Sequence, residues 1–320
     1  MSQPARPPVC RLLRLAMPVI PLLLLAGYEC VLAQVAKGGR IRTDVNLVTV
    51  WVNVQDGSGR PVTGLPRDSF SVFDEGKKQE VSVFEAETQQ PLDMALMIDT
   101  SLSTARELDF EGAAAMRFIH KMLLPQDTLA LYTFAEHVDR LTPYTSNSAT
   151  LEAGVKRMRS GAGTSLYDAV YLSSGELARQ QPGRRRVIVL LTDAGETTSR
   201  ATFEDARRAA VAAETLLYTI VIRPARSDAL RDLAGEHALA TITDTTGGAM
   251  FLADDPSQLD RLFEEIDREL RTQYLLAFYP QPPPPKKSIR HIEVRVAAAP
   301  AAGLMRIRNR RIYLTDGGPE

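Results

Sequence analysis

From Leu92 onward the chain alternates short apolar runs with amphipathic ones, and no other feature constrains its fold as much. Leu92–Ile98, Asp127–Phe134, Arg186–Thr192, Leu216–Ile222 and Ala249–Leu252 read as strands, most of them too apolar to keep one face in water, with a more polar strand expected over Val138–Tyr144. Between them Glu107–Leu123, Ala149–Met158, Ser165–Gln180, Phe203–Glu214 and Pro256–Arg271 read as helices, several of them amphipathic by spacing. Strands apolar on both sides need cover on both faces. The expectation is therefore an α/β domain over residues 90–272, with a doubly wound, Rossmann-like, mainly parallel sheet.

The flanks have a different period. Val45–Val54 alternates β-branched and polar residues as a half-buried strand does, and Asp56-Gly57-Ser58-Gly59 then turns the chain. Ser69–Asp74 and Glu80–Glu85 are further strands around the turn Asp74-Glu75-Gly76, giving a β module over residues 41–89. After residue 272 come Tyr274–Tyr279, a stiff loop at Pro282–Pro285, Ile289–Val296 and Met305–Leu314. Residues 273–316 are expected to complete the early module. The α/β domain would then be inserted between two halves of a flanking β-sandwich-like module formed by N- and C-terminal strands.

Arg6, Arg11 and Arg14 precede the apolar run Leu15–Ala26, and Val31-Leu32-Ala33 supplies small residues for cleavage. That pattern is a signal peptide over residues 1–33. The run is shorter than the ~20 residues of a membrane span and is broken by Pro18 and Pro21. A lipoprotein is disfavoured, because Tyr28 and Glu29 separate Leu25-Ala26-Gly27 from Cys30. The mature protein is expected to begin near Gln34, to be secreted or periplasmic in the cell envelope, and to have no integral membrane segment. Cys10 and Cys30 both fall in the removed part, which excludes disulfides and thiolate metal sites. With 38 basic against 39 acidic residues, net charge gives no footprint for a nucleic-acid partner.

Ligands of open α/β sheets bind beyond the carboxyl ends of the strands, where three polar clusters fall. Asp99-Thr100-Ser101-Leu102-Ser103 follows the first apolar strand, Gly163-Thr164-Ser165 opens a helix, and Thr192-Asp193 ends the strand Val187–Leu191. Hydroxyls with one or two carboxylates form the donor set of a hard cation such as Mg2+ or Mn2+, which keeps several waters. The alternation Asp-x-Ser-x-Ser lets its polar side chains point the same way. Each cluster also has a structural alternative: Ser101, Ser103 and Thr164 as helix N-caps, and Asp193 as a partner for a helix dipole.

The order Asp99-x-Ser101-x-Ser103, Thr164, Asp193 resembles the metal ion-dependent adhesion site (MIDAS) of von Willebrand factor type A domains, over about residues 90–272. The resemblance implies that Ser101 and Ser103 ligate the metal directly, Thr164 directly or through water, and Asp99 and Asp193 mainly through water. It also implies a non-enzymatic adhesion or interaction module whose open metal position takes an acidic side chain of a partner protein. Specificity would then lie in the loops Leu102–Glu107, Ser160–Tyr167 and Ala194–Arg200. Sliding of the final helix would accompany rearrangement of the site. The flanks are similar to a bacterial secreted family that closes on an arginine-rich strand: Arg306-Ile307-Arg308 fits, whereas Arg311-Ile312-Tyr313 replaces the expected Gly-Tyr pair.

The rival reading is a Mg2+-dependent aspartyl-phosphate phosphotransferase or phosphatase using Asp99, with Asp254-Asp255 as further metal carboxylates. Such chemistry wants a general acid two positions after the nucleophile, and Ser101 stands there. Gly161–Ser165 lacks a phosphate-loop lysine. His120, His137, His237 and His291 show no zinc spacing and read as surface or packing residues. Arg184-Arg185-Arg186 reads as the solvated start of a strand.

Overall fold

A computed structural model describes residues 47–86, 90–104, 108–223, 232–297 and 305–315. The segment read as a signal peptide, with both cysteines and Gln34, lies outside them. The first strands are β1 (Val48–Gln55), β2 (Phe70–Asp74), β3 (Lys77–Gln79) and β4 (Val81–Glu85). The α/β part follows as β5 (Leu92–Asp99), α1 (Leu108–Met122), β6 (Thr128–Phe134), β7 (Val138–Arg140), α2 (Ser148–Val155), α3 (Leu166–Ala178), β8 (Arg185–Thr192), α4 (Phe203–Ala212), β9 (Leu216–Ile222), α5 (Leu233–Thr246), β10 (Met250–Ala253) and α6 (Leu259–Arg271). The chain closes with β11 (Tyr274–Phe278), β12 (Ile289–Val296), β13 (Arg306–Asn309) and β14 (Ile312–Leu314).

The central sheet runs β10-β9-β8-β5-β6-β7, parallel except for β7. Every residue of β5 is buried, and its side chains divide by parity, as the two-residue period of a strand requires. Leu92, Met94, Leu96 and Ile98 join Phe118 of α1, Leu151 of α2 and Phe263 of α6; Ala95 and Met97 join Val170 of α3, Ala210 of α4 and Leu239 of α5. Helices thus cover both faces, and the doubly wound expectation holds.

The flanking strands form two antiparallel sheets, β13-β1-β11-β4 and β14-β12-β2-β3; early and late strands pair throughout the first, and β2 pairs with β12 at the centre of the second. Val50 and Val52 of β1, Val72 of β2, Tyr274 and Leu276 of β11, and Ile292 and Val294 of β12 share the core between them. The hairpin between β2 and β3 turns at Glu75 and Gly76, both at positive φ (48° and 75°), a conformation that the glycine accepts without strain.

The base of the α/β lobe meets β1 through polar side chains. Arg185 is 2% exposed, lies 4.2 Å over the Trp51 ring, donates to Leu270 O at 2.7 Å and reaches Gln273 Oε1. Burial lowers the pKa of its guanidinium to about 10. Glu269, at the end of α6, accepts from Gln55 Nε2 of β1 at 2.7 Å and from Arg308 of β13. Burial raises the pKa of its carboxyl.

Three sequence expectations are corrected, and one helix is added. Arg184–Arg186 is not solvated: Arg184 Nε bonds Asp93 Oδ1 at 2.6 Å and Arg186 Nη1 bonds Ala213 O at 2.9 Å, so these cations satisfy buried carbonyls and a buried carboxylate. The polar strand is only β7: beyond Arg140 the Thr142 hydroxyl takes the place of a backbone acceptor for Leu131 N, and pairing resumes only as the isolated bridge between Leu129 and Thr145. Met305–Leu314 splits at Arg310-Arg311 into β13 and β14, which pair in different sheets. Helix α5 was not expected at all. Its buried face includes Thr243, Thr245 and Thr246 beside Leu239 and Ile242, so the apolar period is too sparse to read, and the hydroxyls of Thr241 and Thr245 bond back to the carbonyls of residues 237 and 241.

Candidate metal site

Three loops at the carboxyl end of the central sheet carry the five singled-out residues. Asp99 is the last residue of β5 and is fully buried. Its Oδ1 accepts from Ser101 N at 2.9 Å and its Oδ2 from the Thr192 hydroxyl at 2.7 Å. Desolvation raises its pKa from 3.8 to about 6, and the negative charge of Asp193 adds to the rise. The Ser101 and Ser103 hydroxyls lie 2.9 Å apart, while Thr104 closes the turn by donating to the carbonyls of Asp99 and Ser101.

A bridge between Ser101 and Gly161 brings the second loop against the first, reinforced by Gly161 N donating to Thr100 O at 2.8 Å. Thr164 is 5% exposed. Gly195 joins it to the third loop: a Cβ there would lie 3.2 Å from Asp193 Oδ1, a crowded approach, and 3.7 Å from Thr164 Oγ1, an ordinary contact. Asp193 Oδ1 accepts from Gly195 N at 3.0 Å.

The capping alternatives fare unevenly. The N-cap of α3 is Ser165, whose hydroxyl bonds Ala135 O rather than its own helix, and Thr164 caps nothing. Among the described residues, Thr164 Oγ1 and Asp193 Oδ2 have no hydrogen-bond partner, and neither Asp99 nor Asp193 has a basic partner in an ion pair. Two neighbouring carboxylates without a cation, together with three hydroxyls, fit a hard divalent ion and no soft one. Among the described residues no three His, Cys, Asp or Glu side chains cluster to hold a metal, so any site here depends on its hydroxyls.

Sequence reading placed Thr192 in the third cluster without a role; its hydroxyl both holds Asp99 and accepts from Ala194 N at 3.0 Å. That reading missed Glu196, Thr197 and Ser199, which bind the second loop to the third across about thirty residues of sequence and so leave no local spacing signal. The histidines behave as surface residues: His120 meets Glu152 at 3.0 Å and His291 meets Glu75 at 3.1 Å, both well exposed.

Residues 94–196 match the family model described as von Willebrand factor type A domain. The α/β lobe has that fold. No curated protein matches the chain. Among solved structures it is similar to BatB from Bacteroides thetaiotaomicron, at 17% identity and a TM-score of 0.45, covering 57% of this chain and 100% of that one. It is also similar to a von Willebrand factor type A protein from Catenulispora acidiphila, at 12% identity and a TM-score of 0.48, covering 86% and 76%. A third is proximal thread matrix protein 1 from the mussel byssus with a zinc-occupied MIDAS motif, at 15% identity and a TM-score of 0.48, covering 61% and 48%.

Proposed function

We propose that the von Willebrand factor type A lobe is a cation-dependent protein-binding module, in which Asp99, Ser101, Ser103, Thr164 and Asp193 hold Mg2+ or Mn2+. The observation that carries this reading is the meeting of two carboxylates, without a basic partner among the described residues, with three hydroxyls at the carboxyl end of the sheet. Bound there, the cation would act as a Lewis acid toward an anionic ligand. Neutral hydroxyls offset less of its charge than a carboxylate cage does, which favours an acidic side chain from a partner protein. Ser101, Ser103 and Thr164 supply neutral oxygens, whereas the bonds from Ser101 N and Thr192 fix the Asp99 carboxylate.

Phosphoryl transfer by Asp99 is disfavoured on geometry. Both its oxygens are engaged and the residue has no exposure, so no in-line approach to a phosphoryl group is open. Asp254 follows β10, three strands away, which at ~4.8 Å per strand is about 14 Å, and it pairs with Arg223. The N-terminal pattern of Arg6, Arg11, Arg14 and Leu15–Ala26 supports export to the cell envelope or beyond. No helix among the described residues is long and apolar enough to cross a membrane.

Calorimetric titration of Mg2+ and Mn2+ into wild-type chain and Asp99→Ala tests the reading. Saturable binding at one site, lost in the variant while its circular dichroism is kept, is the expected result; equal affinity in both would sink it. A pull-down from envelope extract with and without EDTA should then yield a partner retained only without chelator.

A further inference from the structure

Helix α3 leaves its first amides unsatisfied by its own sequence, since Ser165 turns its hydroxyl to Ala135 O at 2.8 Å. The loop after β8 supplies the caps instead. Glu196 Oε2 accepts from Tyr167 N at 3.1 Å, and the Ser199 hydroxyl accepts from Tyr167 N at 3.0 Å and Asp168 N at 3.2 Å. Ser199 is held in turn, its hydroxyl donating to Glu196 Oε2 at 2.6 Å and its N–H to Oε1 at 2.9 Å. The helix reciprocates: the Asp168 carboxylate accepts from Arg200 N at 3.1 Å and Ala201 N at 2.7 Å.

Inside this clasp sits Thr164. Its N–H donates to the Thr197 hydroxyl at 2.8 Å, and its carbonyl accepts from Thr197 N at 2.9 Å and Thr198 N at 3.2 Å. Both backbone polar groups of Thr164 are therefore spent on the loop that carries Asp193, leaving the side-chain hydroxyl free of protein partners among the described residues. By contrast Ser101 and Ser103 belong to a turn closed by Thr104, and the Thr192 bond to Asp99 is the side-chain link between that turn and the end of β8.

We propose that Glu196 and Ser199 are positioning residues of the metal site: by capping α3 from the neighbouring loop, they fix the Thr164 hydroxyl beside the Asp193 carboxylate so that the two present themselves as one unit. This rests on the reading of Thr164 and Asp193 as metal-holding residues. Partners that orient ligating groups typically govern metal affinity by about 10-fold or more.

The test uses the whole chain and Mn2+ as the probe, with two readouts: Kd by calorimetry, and hydrogen-exchange protection of the Thr164 amide in EDTA. Glu196→Ala and Ser199→Ala should each weaken Mn2+ about 10-fold and lower protection at Thr164. Ser199→Thr, which keeps the hydroxyl, should restore both. Asn147→Ala removes the N-cap of α2, which serves no part of the site; it should lower the melting temperature and leave Kd unchanged. If Glu196→Ala and Ser199→Ala melt earlier yet bind Mn2+ like wild type, or if Asn147→Ala weakens binding equally, the positioning role is refuted while the metal site stands. Unchanged protection of Thr164 in both alanine variants refutes it too. Absence of Mn2+ binding by the wild-type chain overturns the functional reading and this inference with it.

Discussion

Replacing Glu269 by alanine should uncouple α6 from the sandwich. The carboxylate is 2% exposed and is shared by Gln55 Nε2 on β1, at 2.7 Å, and by Arg308 on β13. Its removal leaves a guanidinium whose side chain is 21% exposed, and a buried amide, without their acceptor. Breaking one side of a buried ion pair typically costs 3–5 kcal/mol; because Arg308 retains some water, about 3 kcal/mol is expected here. For a unit of this size that corresponds to a melting temperature lower by roughly 6 °C or more. Glu269→Gln keeps one acceptor and should lose less. Urea unfolding of wild type, Glu269→Ala, Arg308→Ala and the double variant gives the coupling directly. A coupling below about 0.5 kcal/mol, the size expected of independent sites, would refute the claim that this pair fastens the helix.

Four further outcomes are expected. Between pH ~4 and ~6 the folded, metal-free protein binds a proton at Asp99 that the unfolded chain releases, since the pKa rises from 3.8 to about 6. Stability in EDTA should therefore fall as pH rises through that window, by up to about 3 kcal/mol, and thermal melts of Asp99→Asn should lack that component of the slope. Gly235→Ala would put a Cβ 1.9 Å from Ala194 O, next to Asp193; the first turn of α5 must back away, costing about 1–3 kcal/mol and weakening metal binding, as melts and calorimetry would record. A fragment of residues 37–90 should give no dispersed NMR spectrum, because β1 and β2 find partners in β11, β12 and β13. Mass spectrometry of the envelope fraction should find a chain beginning near Gln34 and lacking Cys10 and Cys30; only an uncleaved cytoplasmic species would refute export.

The strands of the central sheet were legible because burial on both faces demands apolar runs, and Met94–Ile98 and Val187–Leu191 are unbroken ones. The apolar stripe of α6 was equally legible, since Leu259, Leu262, Phe263, Ile266 and Leu270 are all buried. Helix α5 was not, because threonines that bond their own backbone occupy much of its packed face. The break at Arg310 was hidden for another reason: Asn309-Arg310-Arg311 contains no glycine or proline to mark it, and Arg311 N is diverted to Thr245 O only by the fold. At the site, Asp99, Ser101, Ser103, Thr164 and Asp193 could be picked out because each stands just beyond a strand or before a helix. The clasp residues could not. Glu196 and Ser199 act on a helix that begins thirty residues earlier, and a cap supplied across that interval has no spacing to recognise.

The junction between α6 and β11 has a mechanical consequence. Only Thr272 and Gln273 separate the helix from Tyr274, whose hydroxyl donates to Val62 O at 2.9 Å and accepts from Leu65 N at 3.0 Å, and whose ring lies 4.8 Å from that of Phe70. Arg271 adds a second tether at the same end, to Asp127 Oδ2 at 2.6 Å. A piston stroke of one helical turn, about 5.4 Å, would have to drag a fully buried tyrosine out of the sandwich core. This end of the helix is thus fastened both to the sandwich, through Tyr274, and to the α/β lobe, through Asp127. For any tilt of the α/β lobe on its base, the carboxyl end of the sheet is the far end of the lever. Along the eight residues of β5 that arm is roughly 26 Å, so a few degrees of rocking at the base would sweep the Asp99 loop through an ångström or more.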